Sequence, residues 1–102
     1  MAFSSAFVTI LAVGKQQVSG VAAAGSTIPT MLSGENPRYI RVAATAAASI
    51  RLGAAGVTAT VADTQIQPGD SQVMHVPSGV NTFSVIQVSV GGLVQISPLE
   101  NM

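Results

Sequence analysis

Residues 38–52 read Arg38-Tyr39-Ile40-Arg41-Val42-Ala43-Ala44-Thr45-Ala46-Ala47-Ala48-Ser49-Ile50-Arg51-Leu52, and the fold class turns on whether they form a helix or strands. The helical case has Asn36 as an N-cap, Pro37 at the first helical position, alanines in the middle and Gly53 at the end. Such a helix would offer a core little beyond the methyl groups of Ala43, Ala44 and Ala47. A period of two instead places Ile40 and Val42 on one face, then Ala48, Ile50 and Leu52 on one face, with Ser49 and Arg51 on the other side. The second pattern buries more apolar surface. It predicts two paired strands joined through the small residues 43–47 at a tight corner or bulge.

Working toward the N-terminus, residues 7–13 alternate Phe7, Thr9, Leu11 and Val13 against Val8, Ile10 and Ala12, apolar on both sides. That pattern suits a strand covered on two faces, by the core and by a neighbouring subunit. Gly14-Lys15-Gln16 is expected to turn, Gln17 to Ala24 to form a weak strand ending at Gly25, and residues 28–37 to form a loop around Pro29, Gly34 and Pro37. Met1 to Ser5 is a short arm with Phe3 as its apolar tip, expected to be part of an attachment surface. The apolar run 7–13 and the small residues 21–24 imitate a secretory signal, but no Lys or Arg precedes the run and Lys15 follows it, so none is expected. No run approaches the eighteen apolar residues of a membrane-spanning helix.

Toward the C-terminus, a Gly53–Gly56 turn precedes Val57 to Val61, a β-branched strand candidate. Gln67-Pro68-Gly69-Asp70 has Pro and Gly at the central positions of a type II turn. Gln72 to Val76 and Thr82 to Ser89 follow as strands around a Pro77-Ser78-Gly79 turn. A three-residue loop Val90-Gly91-Gly92 would set Val88 against Val94, Gln87 against Gln95 and Ile86 against Ile96 in a closing hairpin. Turn signals recur every eight to twelve residues, the signature of an all-β protein. The fold class is therefore a small antiparallel β-sandwich, jelly-roll-like, of about seven or eight strands, with residues 1–102 as a single domain.

Composition limits the chemistry. The 102 residues carry 8% charged side chains and a formal net charge of +0, far from the roughly one quarter charged residues of ordinary soluble domains. So little repulsion favours association, and a homo-oligomer, trimer or dimer, is expected. Lys15, Arg38, Arg41 and Arg51 are balanced by Glu35, Asp63, Asp70 and Glu100, which leaves no electrostatic footprint for nucleic acid or an anionic membrane. There is no cysteine, so no disulfide, thiolate nucleophile or Cys-based metal site. His75 is the single histidine, which excludes paired-histidine sites and reads as an outward strand residue. Asp63 and Asp70 could form a carboxylate pair for glycoside chemistry, but turn capping is the simpler role. Ser4 and Ser5 lack a nucleophile elbow, and Gly91-Gly92 lacks the lysine and helix of a phosphate loop. Arg38, Arg41 and Arg51 form either a basic stripe or one solvated strand side. No catalytic, cofactor-binding or metal residues are expected, and the chain is not expected to be an enzyme.

Arg41-Val42, Arg51-Leu52-Gly53, Val57-Thr58-Ala59-Thr60-Val61-Ala62-Asp63-Thr64 and the segment from Ile86 to Pro98 together resemble the layout of small tailed-bacteriophage virion structural proteins. The likeness spans the last two thirds of the chain, and its pieces are β and turn residues. It implies a non-enzymatic protein of the virion, a capsid decoration or cement protein that contacts the major capsid protein, or else a head-tail or tail accessory protein. A secreted β-sandwich binding module or adhesin is the competing class. It should line a ligand site with aromatic residues, of which the chain has Phe3, Phe7, Tyr39 and Phe83 and no Trp.

Overall fold

The computed structural model describes residues 8–10, 12–18 and 25–101. Among them nine strands occur: β1 (Val8–Thr9), β2 (Lys15–Val18), β3 (Ser26–Thr27), β4 (Tyr39–Ala44), β5 (Ala48–Gly53), β6 (Thr64–Ile66), β7 (Gln72–His75), β8 (Thr82–Gln87) and β9 (Leu93–Asn101). No helix is present among the described residues, and the antiparallel strands form two sheets. One has the order β1-β9-β4-β7 with β2 also on β9, and the other β3-β8-β5-β6.

The two orders are related by continuity of the chain. Strands β1, β2 and β3 follow one another, as do β4 and β5, β6 and β7, and β8 and β9; each of these four segments contributes to both sheets, in the same lateral position. A four-stranded antiparallel ribbon folded across itself gives this pattern, the topology of a jelly roll. The registers run through the fold: Val42 opposes Gln72 and Ala48 opposes Ile66, so residues 43–47 match residues 67–71 one for one.

Strands over residues 39–53 follow from the period of two. Ile40, Val42, Val94 and Ile96 of one sheet form a single buried cluster with Ala48, Ile50, Ile66, Phe83 and Val85 of the other. Each large side chain in it contributes roughly 1.5–3 kcal/mol, an upper bound. Strands β4 and β5 are not partners of each other, as the sequence pattern suggested; they lie in opposite sheets. The small residues between them form the corner where the ribbon folds. Thr45 N–H donates to Leu93 O (2.9 Å) and Val88 N–H to Ala47 O (3.2 Å), so pairing persists on either side of Ala46. A Cβ on Gly92 would lie 2.6 Å from Thr45 Oγ1 and 3.0 Å from the Ala46 methyl. Bulkier side chains would force the two turning chains apart.

The closing hairpin is overturned by the same corner. Residues 82–87 pair with β5 and β3, residues 93–101 with β4, β2 and β1, and the chain between them crosses from sheet to sheet. The register drawn for 86–96 was locally satisfying, yet pairing across the corner lets Val85, Val94 and Ile96 enter one core.

Two further expectations are corrected. Lys15-Gln16 is strand, not turn: β1 and β2 both run antiparallel to β9, with Val8 opposite Asn101 and Lys15 opposite Ile96. Gly14 serves close approach, since a Cβ there would sit 2.6 Å from Ile96 O. Residues 10 and 12–14 are not strand and fall between β1 and β2, opposite residues 97–99, which explains Pro98 inside β9. Val76 N–H donates to Arg38 O (2.7 Å), so residues 38, 40 and 42 bond toward β7 and residues 39, 41 and 43 toward β9. Even positions of β9 therefore face β1 and β2, and the N–H that Pro98 lacks points at the interruption. The second correction concerns Val57 to Val61, which is not a strand but part of a strap over the outside of the β8-β5 pair. Ala59 N–H donates to the buried Ser84 Oγ (3.0 Å), and Ser49 Oγ donates to Val61 O (3.3 Å). With backbone groups satisfied by side chains, no ladder is needed. The turn at Gln67–Asp70 is as expected: Asp70 N–H donates to Gln67 O (3.2 Å) and Gly69 has φ +86°. The expected strand Phe7–Val13 is reduced to Val8–Thr9, Phe7 and Leu11 lying outside the described residues, as do residues 19–24 of the weak strand.

Candidate functional site

Because side chains alternate along a strand, the outside of the β7-β4-β9 sheet carries the odd-numbered residues. Tyr39 stands directly opposite His75, their ring centroids 5.4 Å apart and the planes at 54°. Arg41 stands opposite Val73. All four are exposed, Val73 at 58%. Beyond the end of β7, the chain turns through Pro77 to Val80, with Val80 N–H donating to Pro77 O (3.1 Å). That turn and the approach to β4 enclose a groove of about 560 Å³, lined on its polar side by Asn36, Arg38, Tyr39, His75 and Ser78. Pro37, Val76 and Val80 complete the lining with apolar side chains.

This face has the make-up of a contact surface. Aromatic and arginine side chains are enriched where proteins meet, and each combines apolar area with hydrogen-bond donors. Among the described residues Arg38 and Arg41 make no ion pair with their own chain, so their donors remain available. Lone apolar residues elsewhere on the surface, Ile10, Val13 and Leu32 among them, are exposed without forming part of this face.

Arg51 belongs to a different place. It leaves the outer face of β5 and its Nε lies 3.0 Å from Asp63 Oδ1, so Arg38, Arg41 and Arg51 do not make one stripe. Asp63 also accepts from Thr60 N–H (2.7 Å), while its own N–H donates to Thr60 O (3.0 Å). The Thr60 N–H bond holds the Asp63 carboxyl below its ordinary value; partial burial opposes this and the Arg51 guanidinium assists it. Asp63 is thus a turn cap and an anchor for the strap. Asp70 lies past the other end of β6, exposed, at the Pro68-Gly69 turn. The carboxylate pair is not assembled, since Asp63 is committed to Thr60 and Arg51.

His75 points outward from its strand, as its sequence context predicts. Phe3, Ser4, Ser5 and the arm at residues 1–5 lie outside the described residues. Among the described residues no three His, Asp or Glu side chains gather as a metal-binding group. The Tyr39–His75 contact and the groove escaped the sequence, because neither follows until the register of β4 on β7 is known. The alternation Arg41-Val42 and Val73-Met74-His75 is the one signal that could have marked both strands as having a polar and aromatic outer side. Comparison of the chain with protein-family models, with curated proteins and with solved structures finds no match.

Proposed function

We propose that the chain is a non-enzymatic structural protein of a bacteriophage virion, a capsid decoration or cement protein that stabilises the shell by bridging neighbouring subunits of the major capsid protein. The observation that carries the reading is the outer face of the β7-β4-β9 sheet, where Tyr39, Val73 and His75 stand exposed beside Arg41 on a two-layer scaffold. A face of that composition on a chain with 8% charged residues suits a repeated protein contact. The layout shared with small virion proteins adds to this. Its pieces fall on β4, the end of β5, the strap and the β8-to-β9 crossing. Jelly rolls host many functions, so the topology alone decides nothing.

Mechanistically, each copy would sit across a boundary between capsid subunits, so that separating them breaks its contacts as well. Weak single contacts suffice where sites repeat and the bound species is an oligomer. The test is quantitative mass spectrometry of purified particles. Copy numbers on the scale of the major capsid protein are expected; a stoichiometry matching the tail would move the chain to a head-tail or tail accessory role, and absence from particles would overturn the reading.

A further inference from the structure

Among the described residues strand β7 is an edge strand, bonded to β4 alone. Its alternation is known from the Val76 to Arg38 bond: residues 72, 74 and 76 spend their backbone groups on β4, so Ser71, Val73 and His75 direct theirs away from the sheet. All three are exposed, and their outward N–H groups meet no acceptor among the described residues. Natural edges are usually blunted by lysine, proline or a bulge. From Ser71 to Val76 this edge has none of them and no Lys, Arg, Asp or Glu. Pro77 comes next, at an outward position, where it ends any pairing without leaving a donor unmet.

We propose that this edge binds the same edge of a second copy, two β7 strands pairing antiparallel about a two-fold axis at Val73 to give one sheet continuous across a dimer. The register follows from the backbone. Only odd residues offer groups to the edge, so odd must oppose odd. With Val73 on the axis, Ser71 of each copy meets His75 of the other and three sites are paired. Moving the axis to Met74 would put Pro77 opposite Ser71 and lose donors. Opposed residues share a face, so the aromatic outer surface and the core side both continue across the boundary.

Charge agrees with that register. Asp70 of one copy falls opposite Val76 of the other, next to Arg38, and the two lie two strand spacings apart, roughly 10 Å between backbones. Both are exposed, and neither has an ion partner in its own chain among the described residues. The two Arg41 residues, by contrast, are separated by both β7 strands, about 14 Å, beyond the screening length of about 10 Å at moderate salt. The inference deepens the self-association in the reading above and holds whether or not the dimer docks on a capsid.

Cysteine placement tests it, because the chain has no cysteine of its own. On the axis, two Val73 Cα atoms would stand about 5.5 Å apart, within disulfide reach. Val73→Cys should therefore give a covalent dimer under mild oxidation. His75→Cys should not, since the two copies would lie four residues apart along the strands, roughly 14 Å. Val73→Pro removes an outward N–H and no β4 bond, so it should sediment as a monomer with an unchanged β-type circular dichroism spectrum. Asp70→Arg should weaken the dimer about tenfold, and adding Arg38→Asp should restore it. Equal cross-linking at 73 and 75 would overturn the register. An oligomer in sedimentation that Val73→Cys fails to trap would overturn the edge while leaving self-association standing. A monodisperse monomer at all concentrations would overturn both, whatever the particle stoichiometry shows.

Discussion

Thr45 and Leu93 bond each other through backbone and side chain: Thr45 N–H donates to Leu93 O (2.9 Å), Leu93 N–H donates to Thr45 Oγ1 (2.8 Å), and the Thr45 hydroxyl makes a longer bond to Leu93 O (3.4 Å). The first bond continues the β4-β9 ladder, and the second closes it with a side chain at the point where the chain must leave the sheet. Thr45→Val keeps the shape and removes the acceptor. A loss of about 0.5–1.5 kcal/mol is expected, since the site is solvent-accessible and water can replace the hydroxyl in part. Gly92→Ala should cost more, about 1–3 kcal/mol, because the added methyl meets Thr45 Oγ1 at 2.6 Å. Urea unfolding of both variants checks the order. Gly92→Ala being the milder would mean that the corner yields.

Asp63 ties stability to pH. Its carboxyl titrates below the ordinary 3.8 in the folded chain, so the folded state binds fewer protons than the unfolded state as acid is added. The sign is that of a depressed carboxylate. Its contribution is complete above pH 3.8 and is lost as pH falls through the lowered folded value. Asp63→Asn abolishes this dependence. Melting curves of the two proteins should differ at neutral pH and converge in strong acid; a constant difference throughout would rule Asp63 out as the source.

Much of the fold was legible in residues 38–52, because alternation is a local property and the buried positions Ile40, Val42, Ala48 and Ile50 carry it. The Pro68-Gly69 turn was legible for the same reason: Gly69 needs a positive φ and four residues contain the whole argument. Partner choice was not. Val88 opposite Val94 is as good a local match as the sequence offers, yet Val94 lies opposite Ala44 and Gln17. Nothing within a hairpin's length encodes a fold across a corner. Val57 to Val61 misled in the opposite way, having strand propensity but finding hydroxyl partners on the outside of β5 and β8. The candidate site failed to show for a related reason, as Tyr39 and His75 are far apart in sequence and meet only through register.

Phe83 is the largest fully buried side chain among the described residues, on β8, facing the other sheet. Phe83→Ala is expected to cost about 3–5 kcal/mol, a large share of the stability of a domain this size. Phe83→Leu should cost far less. Thermal unfolding monitored by circular dichroism decides it, and near-equal effects would mean that the core collapses around the lost ring.

Ser84 secures the strap. Its buried hydroxyl accepts Ala59 N–H, and Ala59 itself is 1% exposed, so Ser84→Ala leaves a desolvated donor at a cost of about 1–3 kcal/mol. The effect should be local. Hydrogen exchange at the Ala59 amide is expected to accelerate far more than at Val42 or Val94, whose amides sit in central strands. Uniform acceleration would mean that the strap opens only with the whole domain.

Pro98 tests the alternation on which both the topology and the dimer register depend. If even positions of β9 face β1 and β2, with Pro98 at the break between those two strands, the missing N–H deprives no described partner, and the ring's fixed φ restricts only the unfolded chain. Pro98→Ala should then lose about 0.4–1 kcal/mol, the ordinary entropic effect, with no compensating bond gained. Proline one position earlier should behave differently. Ser97 faces Arg41 in the ladder with β4, so Ser97→Pro removes a central-sheet bond and leaves the Arg41 carbonyl without its donor, costing about 1–3 kcal/mol from that source alone before any steric term. Urea unfolding of the two variants separates the cases. Should Ser97→Pro prove harmless and Pro98→Ala stabilise the chain, the odd and even positions of β9 have been assigned to the wrong neighbours, and the Val73 axis fails with them.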